Sequence, residues 1–299
     1  MPTPGGIYFM GLSLPWIMTI FVEIHGYGMK ARSIAFYILV TGILAVLPSG
    51  KPVDHAEDDY LQCRIREVSE MLGVNIVVSE HLHDSWGAIS YQTATDEVEL
   101  MRYLDLVARE FSKYPEGYLR QSHAHTLILV SDLAYCEQPR AAIPDPYRNQ
   151  LYLSVNGAFR IRSERYLAHV MHHELHHLTE YSMWRNMTFD WHEWISLNGD
   201  GFCYGNGGAD AYADYLANGT DFYSPVNPHQ GFINRYSLTG DEEDRAELMA
   251  FIMTDYERPV VTELLQKDHI LREKSRLLAR LFNDFGRPSV QMLGTISLE

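Results

Sequence analysis

The run His172-His173-Glu174-Leu175-His176-His177 constrains this chain more than any other feature. It contains His-Glu-x-x-His inside residues 163–181, where Leu167, Val170, Met171, Leu175 and Leu178 recur at helical spacing. On an α-helix, residues four apart lie ~40° apart around the axis and one turn apart along it. His173 and His177 can therefore offer two imidazole nitrogens to one cation at ~2.0–2.1 Å, the distance zinc adopts. Glu174 is rotated ~100° from His173. It is poorly placed to bind that ion and well placed to take a proton from a water beside it. His172 and His176 are also four apart, but only His173 is followed directly by glutamate. The preferred register is His173/His177, which leaves His172 and His176 to packing or support. The apolar face argues for a helix seated in a core rather than a His-rich surface.

A zinc site open to a reactant takes a third protein ligand and leaves the fourth position free. Downstream candidates are His192, Asp200, Asp210, Asp214, His229 and the acidic cluster 241–247, DEEDRAE. The metzincin pattern is absent, because His177 is followed by LTEYSMWRNMTF. Within the cluster, Glu243 and Glu247 form an E-x-x-x-E pair that shares one helix face. One carboxylate can face an ion while the other accepts a hydrogen bond from an imidazole and fixes its tautomer. Glu242 is the rival in register, and its partner one turn on is Ala246. The competing reading is an acidic first turn that complements the helix dipole, with Asp241 as N-cap.

The stretch Tyr236-Ser-Leu-Thr-Gly-Asp-Glu-Glu243-Asp-Arg-Ala-Glu247 resembles the second motif of gluzincin-type metallopeptidases. It is most similar to a bacterial zinc-binding metallopeptidase family and to the catalytic domain of lethal-factor-type proteases. The segment 194–205 and the pair Tyr114-Pro115 share the resemblance, which spans roughly residues 60–255. It implies a zincin-like fold and a zinc peptidase acting on peptide or protein substrates. Under it, His173, His177 and Glu243 bind Zn2+, Glu174 and Tyr236 are catalytic, and Glu247 stands behind the ligands holding a histidine. Two other readings stay open: a non-catalytic zincin-like binding module, and a metal hydrolase of non-peptide amides.

The rest of the chain reads as α+β, one domain over 51–299 with a small mixed sheet and a helical C-terminal part. Helices are expected over 56–72, over 95–111 with Thr95 as cap, over 163–181 and 241–253, and as one or two segments over 259–285. Strands are expected at 74–78 and 126–131, and at 150–155, where alternation reads as half-exposed; that strand is either an exposed edge able to hold a substrate or an interior strand. Residues 191–237 read as a long connection with short helices. The first fifty residues carry only Glu23, Lys30 and Arg32 as charges. They hold apolar runs at 7–22 and 33–48, the layout of a signal peptide starting at Met29 or of a membrane anchor. Export to a secreted, periplasmic or cell-surface location follows from that reading, and membrane contact only through the anchor. With 24 Lys+Arg against 39 Asp+Glu the net charge is −15, which disfavours nucleic acid as a partner. Cys63, Cys136 and Cys203 lack the spacing of a zinc finger and allow at most one disulfide. His123, His125 and His229 read as structural or exposed, and Asn186 and Asn218 head glycosylation sequons.

Overall fold

A computed structural model describes residues 8–9, 20–21, 55–78, 82–185 and 191–286. The chain divides into two compact units, Met1–Val53 and Asp54–Glu299. In the first, β1 (Tyr8–Phe9) pairs antiparallel with β2 (Ile20–Phe21). The targeting segment expected over 1–50 otherwise lies outside the described residues. Among the described residues, no helix is long and apolar enough to cross a membrane.

The second unit opens with α1 (His55–Leu72), which Gly73 ends in the left-handed region at φ 65°. Then come β3 (Asn75–Val78), β4 (Ile89–Thr93) and α2 (Glu97–Phe111). The cap of α2 is Asp96, not Thr95. Asp96 takes the extended conformation a cap needs, and its carboxylate accepts the Glu99 N–H at 3.0 Å. The short α3 (Tyr118–Gln121) leads into β5 (Thr126–Tyr135), followed by β6 (Gln138–Pro139), β7 (Ala142–Asp145) and β8 (Gln150–Ser154).

These strands form one mixed sheet in the order β3-β5-β8-β7, with β4 and β6 also paired to β5. β3 and β8 run parallel to β5, while β7 runs antiparallel to β8. The half-exposed strand expected at 150–155 is not found. β8 is interior, held by β5 on one side and β7 on the other, and the outer strand is β7. Both faces of β8 are covered. Leu151 and Leu153 join the main core under the helices, and Tyr152 packs on the opposite face with Ile128, Val130, Leu133 and Ile143. Alternation of residue type therefore marked two apolar clusters rather than a wet and a dry face.

The helical part comprises α4 (Glu164–Arg185), α5 (Trp191–Ser196), α6 (Gly208–Asn218), α7 (Asp241–Met253), α8 (Arg258–Lys267) and α9 (His269–Gly286). The region expected at 259–285 is thus two helices. Asp268 separates them, its carboxylate accepting the N–H of Ile270 at 2.9 Å and of Leu271 at 3.0 Å. The N-cap of α7 is Gly240, not Asp241, whose carboxylate instead receives Arg245 at 2.8 Å.

A buried polar chain fixes α4 against α2. Burial alone would raise the Glu110 carboxyl, but His172 and Lys113 hold it down to about 2. Burial also lowers His172, so the ring is neutral; its Nε2–H donates to Glu110 at 3.0 Å and its Nδ1 accepts the Tyr114 hydroxyl at 3.0 Å. Lys113 reaches from Glu110 to the Met253 carbonyl at the end of α7. The folded carboxyl lies below its ordinary 4.5, so its stabilising contribution is complete above that value. It is lost as pH falls toward 2. Glu110→Gln should accordingly destabilise the protein at pH 7, on the order of 2–3 kcal/mol. That gap should shrink steadily between pH 5 and pH 2 in urea-unfolding midpoints.

Candidate metal centre

α4 and α7 pack side by side, and the sequence of each explains what they exchange. His169, His173 and His177 recur every four residues along one face of α4, and Glu243 and Glu247 do the same on α7. His173 Nε2 and His177 Nε2 lie 3.0 Å apart. Glu243 Oε2 lies 3.1 Å from the first and 3.4 Å from the second. Ligands ~2.0–2.1 Å from a tetrahedral zinc stand ~3.3–3.4 Å from one another, so the three atoms are spaced within a few tenths of an ångström of a zinc triad. The charges suit it as well. Burial would raise the Glu243 carboxyl, yet the two histidines hold it far below the usual range. Burial would lower His173 and His177, yet the carboxylates raise both. The point where the three atoms converge attracts positive charge, and the group has the make-up of one that could hold a metal ion.

A second triplet, His169, His173 and Glu247, also lies within ligand distance. Glu247 Oε1 is 2.8 Å from His173 Nδ1 and 3.1 Å from His169 Nε2. It therefore faces the nitrogen of His173 that points away from His177 and Glu243, the position from which a carboxylate fixes tautomer and ring orientation. His169 is itself held by Glu257 at 2.6 Å. Burial opposes its charge, but Glu247 and Glu257 raise its pKa to about 9. The other oxygen of Glu247 accepts from Asn234 Nδ2. Asn234 in turn accepts the Ser237 N–H at 2.9 Å within the single 3-10 turn Tyr236–Leu238. One carboxylate thus ties the histidine and the turn bearing Tyr236 together.

Glu174 is half-buried and lines the cleft beside these residues. Burial raises its carboxyl, with His173 and His177 partly opposing. The Tyr236 ring stands 5.8 Å from that of His173. At Gly208, the first residue of α6, a Cβ would lie 2.1 Å from the Tyr236 hydroxyl and 2.8 Å from Glu243 Oε1. Only glycine lets the α6 backbone approach this closely. The cleft encloses about 1160 Å³. Its walls are β7, α4, the start of α6, residues 221–225 and Tyr236.

Asp244 and Arg245 of α7 are buried on its other faces. Asp244 Oδ2 accepts from Trp194 Nε1 at 2.9 Å, the Tyr204 hydroxyl at 2.8 Å and Lys274 Nζ at 2.7 Å. Arg245 pairs with Glu180, whose carboxyl is held down to about 2; burial opposes this, and Arg245 and His176 outweigh it. Among the rival ligands, Glu242 and Asp210 are exposed, as are His192 and Asp200. Asp214 bonds Asn218, and His229 bonds the Gln230 carbonyl. His123 bonds Asn149, and His125 the Arg120 carbonyl. None of these joins the triad. The three cysteines are exposed and in no disulfide. Sequence reasoning overlooked His169, although it lies one turn before His173. It also overlooked Gly208 and Lys274, which no local pattern marks.

No protein-family model matches the chain, and no curated protein matches it. Among solved structures the chain is similar to a protein of Bacteroides caccae described as a "putative zinc-binding metallo-peptidase". The identity is 14% and the TM-score 0.49, over 83% of this chain and 92% of that one. This likeness assigns no role to any residue here.

Gly208→Ala should displace the Tyr236 hydroxyl and Glu243 together. Zinc affinity in a chelator-competition titration should weaken about tenfold or more. Asn206→Ala, an exposed change two residues earlier, should leave that affinity unchanged.

Proposed function

We propose that this chain is a zinc-dependent peptidase of gluzincin type. The observation that carries this reading is the convergence of His173, His177 and Glu243 on one point, with Glu174 beside it in an open cleft. His173, His177 and Glu243 would hold the ion. Zinc at such a site supplies Lewis acidity toward a carbonyl oxygen and lowers the pKa of water to near 7.

The chain's own groups do the rest. Glu174 accepts the proton of the attacking water and passes it to the departing amine. Its raised carboxyl suits both halves of that transfer. The Tyr236 hydroxyl, kept protonated because burial and Glu243 raise it well above its ordinary value, donates to the oxyanion as it forms. Glu247 holds His173 in register. β7 is the outer strand of the sheet and lines the cleft, so an extended peptide can add to it by main-chain pairing. Pro144 lacks an N–H, which confines pairing to its neighbours in β7. The apolar N-terminal segment supports work outside the cytoplasm, with unfolded or extended polypeptide as the substrate.

Metal analysis and peptide cleavage together test this reading. Wild type should bind one zinc and cleave an unfolded protein such as casein. Glu174→Gln should keep the metal and lose at least 10³-fold in kcat, a magnitude on the order expected for the loss of a proton-transfer group. Glu243→Ala should lose zinc almost entirely, and Glu247→Ala should weaken affinity on the order of 10–100-fold. Full turnover by Glu174→Gln, or zinc retained at wild-type affinity by Glu243→Ala, overturns the assignment. Zinc binding with no cleavage of any peptide favours a binding module, and release of product from cell-wall fragments alone favours a non-peptide amide substrate.

A further inference from the structure

The arginines that line the cleft are Arg140, Arg165 and Arg245. Two of them are neutralised in place: Arg165 lies 3.1 Å from Glu257, and Arg245 pairs with Glu180 and Asp241. Arg140 has no carboxylate within ion-pair distance among the described residues, although it is half-buried in the link between β6 and β7. Its main chain is fixed by donation to the Leu133 carbonyl at 2.8 Å. Its side chain donates once, to Gln138 Oε1 at 2.9 Å. The guanidinium carbon sits 4.9 Å from the centre of the Tyr212 ring, which stacks in turn on Phe159 at 5.8 Å and 14°.

Stacking of this kind holds the guanidinium plane while leaving its edge donors for a partner. The Tyr212 hydroxyl is also buried without a hydrogen-bond partner among the described residues. The cleft therefore contains an oriented, uncompensated cation beside an unsatisfied hydroxyl, an arrangement that planar anions complete. The end of the cleft where α4 finishes is different: there Tyr147 meets Tyr181 at 5.1 Å and Trp86 at 6.4 Å.

We propose that Arg140 is the anion-recognising residue of the cleft, and that the preferred ligand is a peptide carrying a carboxylate that docks on its guanidinium edge. The carboxylate belongs either to an Asp or Glu side chain or to a free C-terminus. The chain's net charge of −15 repels such ligands at long range, so the preference arises from this local contact. The inference rests on the peptide-binding reading of the site and deepens it.

The test uses the full chain, zinc-loaded and carrying Glu174→Gln so that bound peptides persist. Fluorescent peptides are compared in matched pairs, Glu against Gln at successive positions in one arm and free acid against C-terminal amide in the other. At least a tenfold tighter binding of the carboxylate member is expected in one arm, and that arm names the source. Adding Arg140→Gln should abolish the difference. Adding Arg140→Glu should invert it toward Lys-containing peptides, an outcome that damaged folding does not produce. Equal affinities in both arms, or a preference that survives Arg140→Gln, overturns the proposal. Carboxylate-selective binding that depends on Arg140, in a protein whose wild type cleaves nothing, supports the proposal and overturns the peptidase reading. Binding of no peptide by zinc-loaded protein overturns both.

Discussion

The carboxylate of Glu247 is the interaction on which the rest of this architecture depends. It is almost wholly removed from water, at 1% exposure, and an ion so placed costs several kcal/mol unless its surroundings compensate. Here they do so from three directions: His169, His173 and Asn234 all address it. Each contact also constrains the partner. His173 lies against it through Nδ1 at 2.8 Å, Asn234 anchors the turn that carries Tyr236, and His169 extends the chain to Glu257 and Arg165. Tyr236 and His173, 63 residues apart in the chain, thereby share one support.

α7 solves a problem that few helices face, because residues 244–253 are buried in succession, on every side of the helix, while its first turn is charged. The ~100° step between residues distributes those charges. Glu243 and Glu247 face the histidines of α4, Asp244 faces Trp194, Tyr204 and Lys274, and Arg245 faces Glu180. Each of these directions offers a partner of opposite charge or a hydrogen-bond donor. The helix is held in rotation and in translation by contacts that a one-residue slip would destroy, and this is what gives Glu243 a defined place beside His173 and His177.

Much of this was legible in the sequence, and the boundary is a physical one. Local periodicity exposes HELHH and E-x-x-x-E because four-residue spacing is a property of one helix at a time. It led to His173 and His177, whereas Glu243 was singled out from its acidic cluster by the gluzincin resemblance. The Trp194–Tyr204 stretch stood out by resemblance, but its task, gripping Asp244, is visible only once α5 and α7 meet. The choice between edge and interior for β8 stayed open, and its half-exposed reading failed, because its burial depends on what covers the far face of Tyr152, which no pattern within residues 150–155 encodes. Caps shifted by a residue at Asp96 and Gly240, since backbone conformation rather than residue type decided between adjacent candidates. Arg140 gave no signal at all. An arginine without a counter-ion looks in sequence like any other.

The pairing of Asp244 with Lys274 has a consequence for how the chain is made. Thirty residues separate them, and both are fully withdrawn from solvent. During synthesis α7 leaves the ribosome before its counter-charge exists, so Asp244 must remain hydrated until α9 emerges. The nascent helix is accordingly kept from seating against α4, and its final packing waits on the segment that closes the fold.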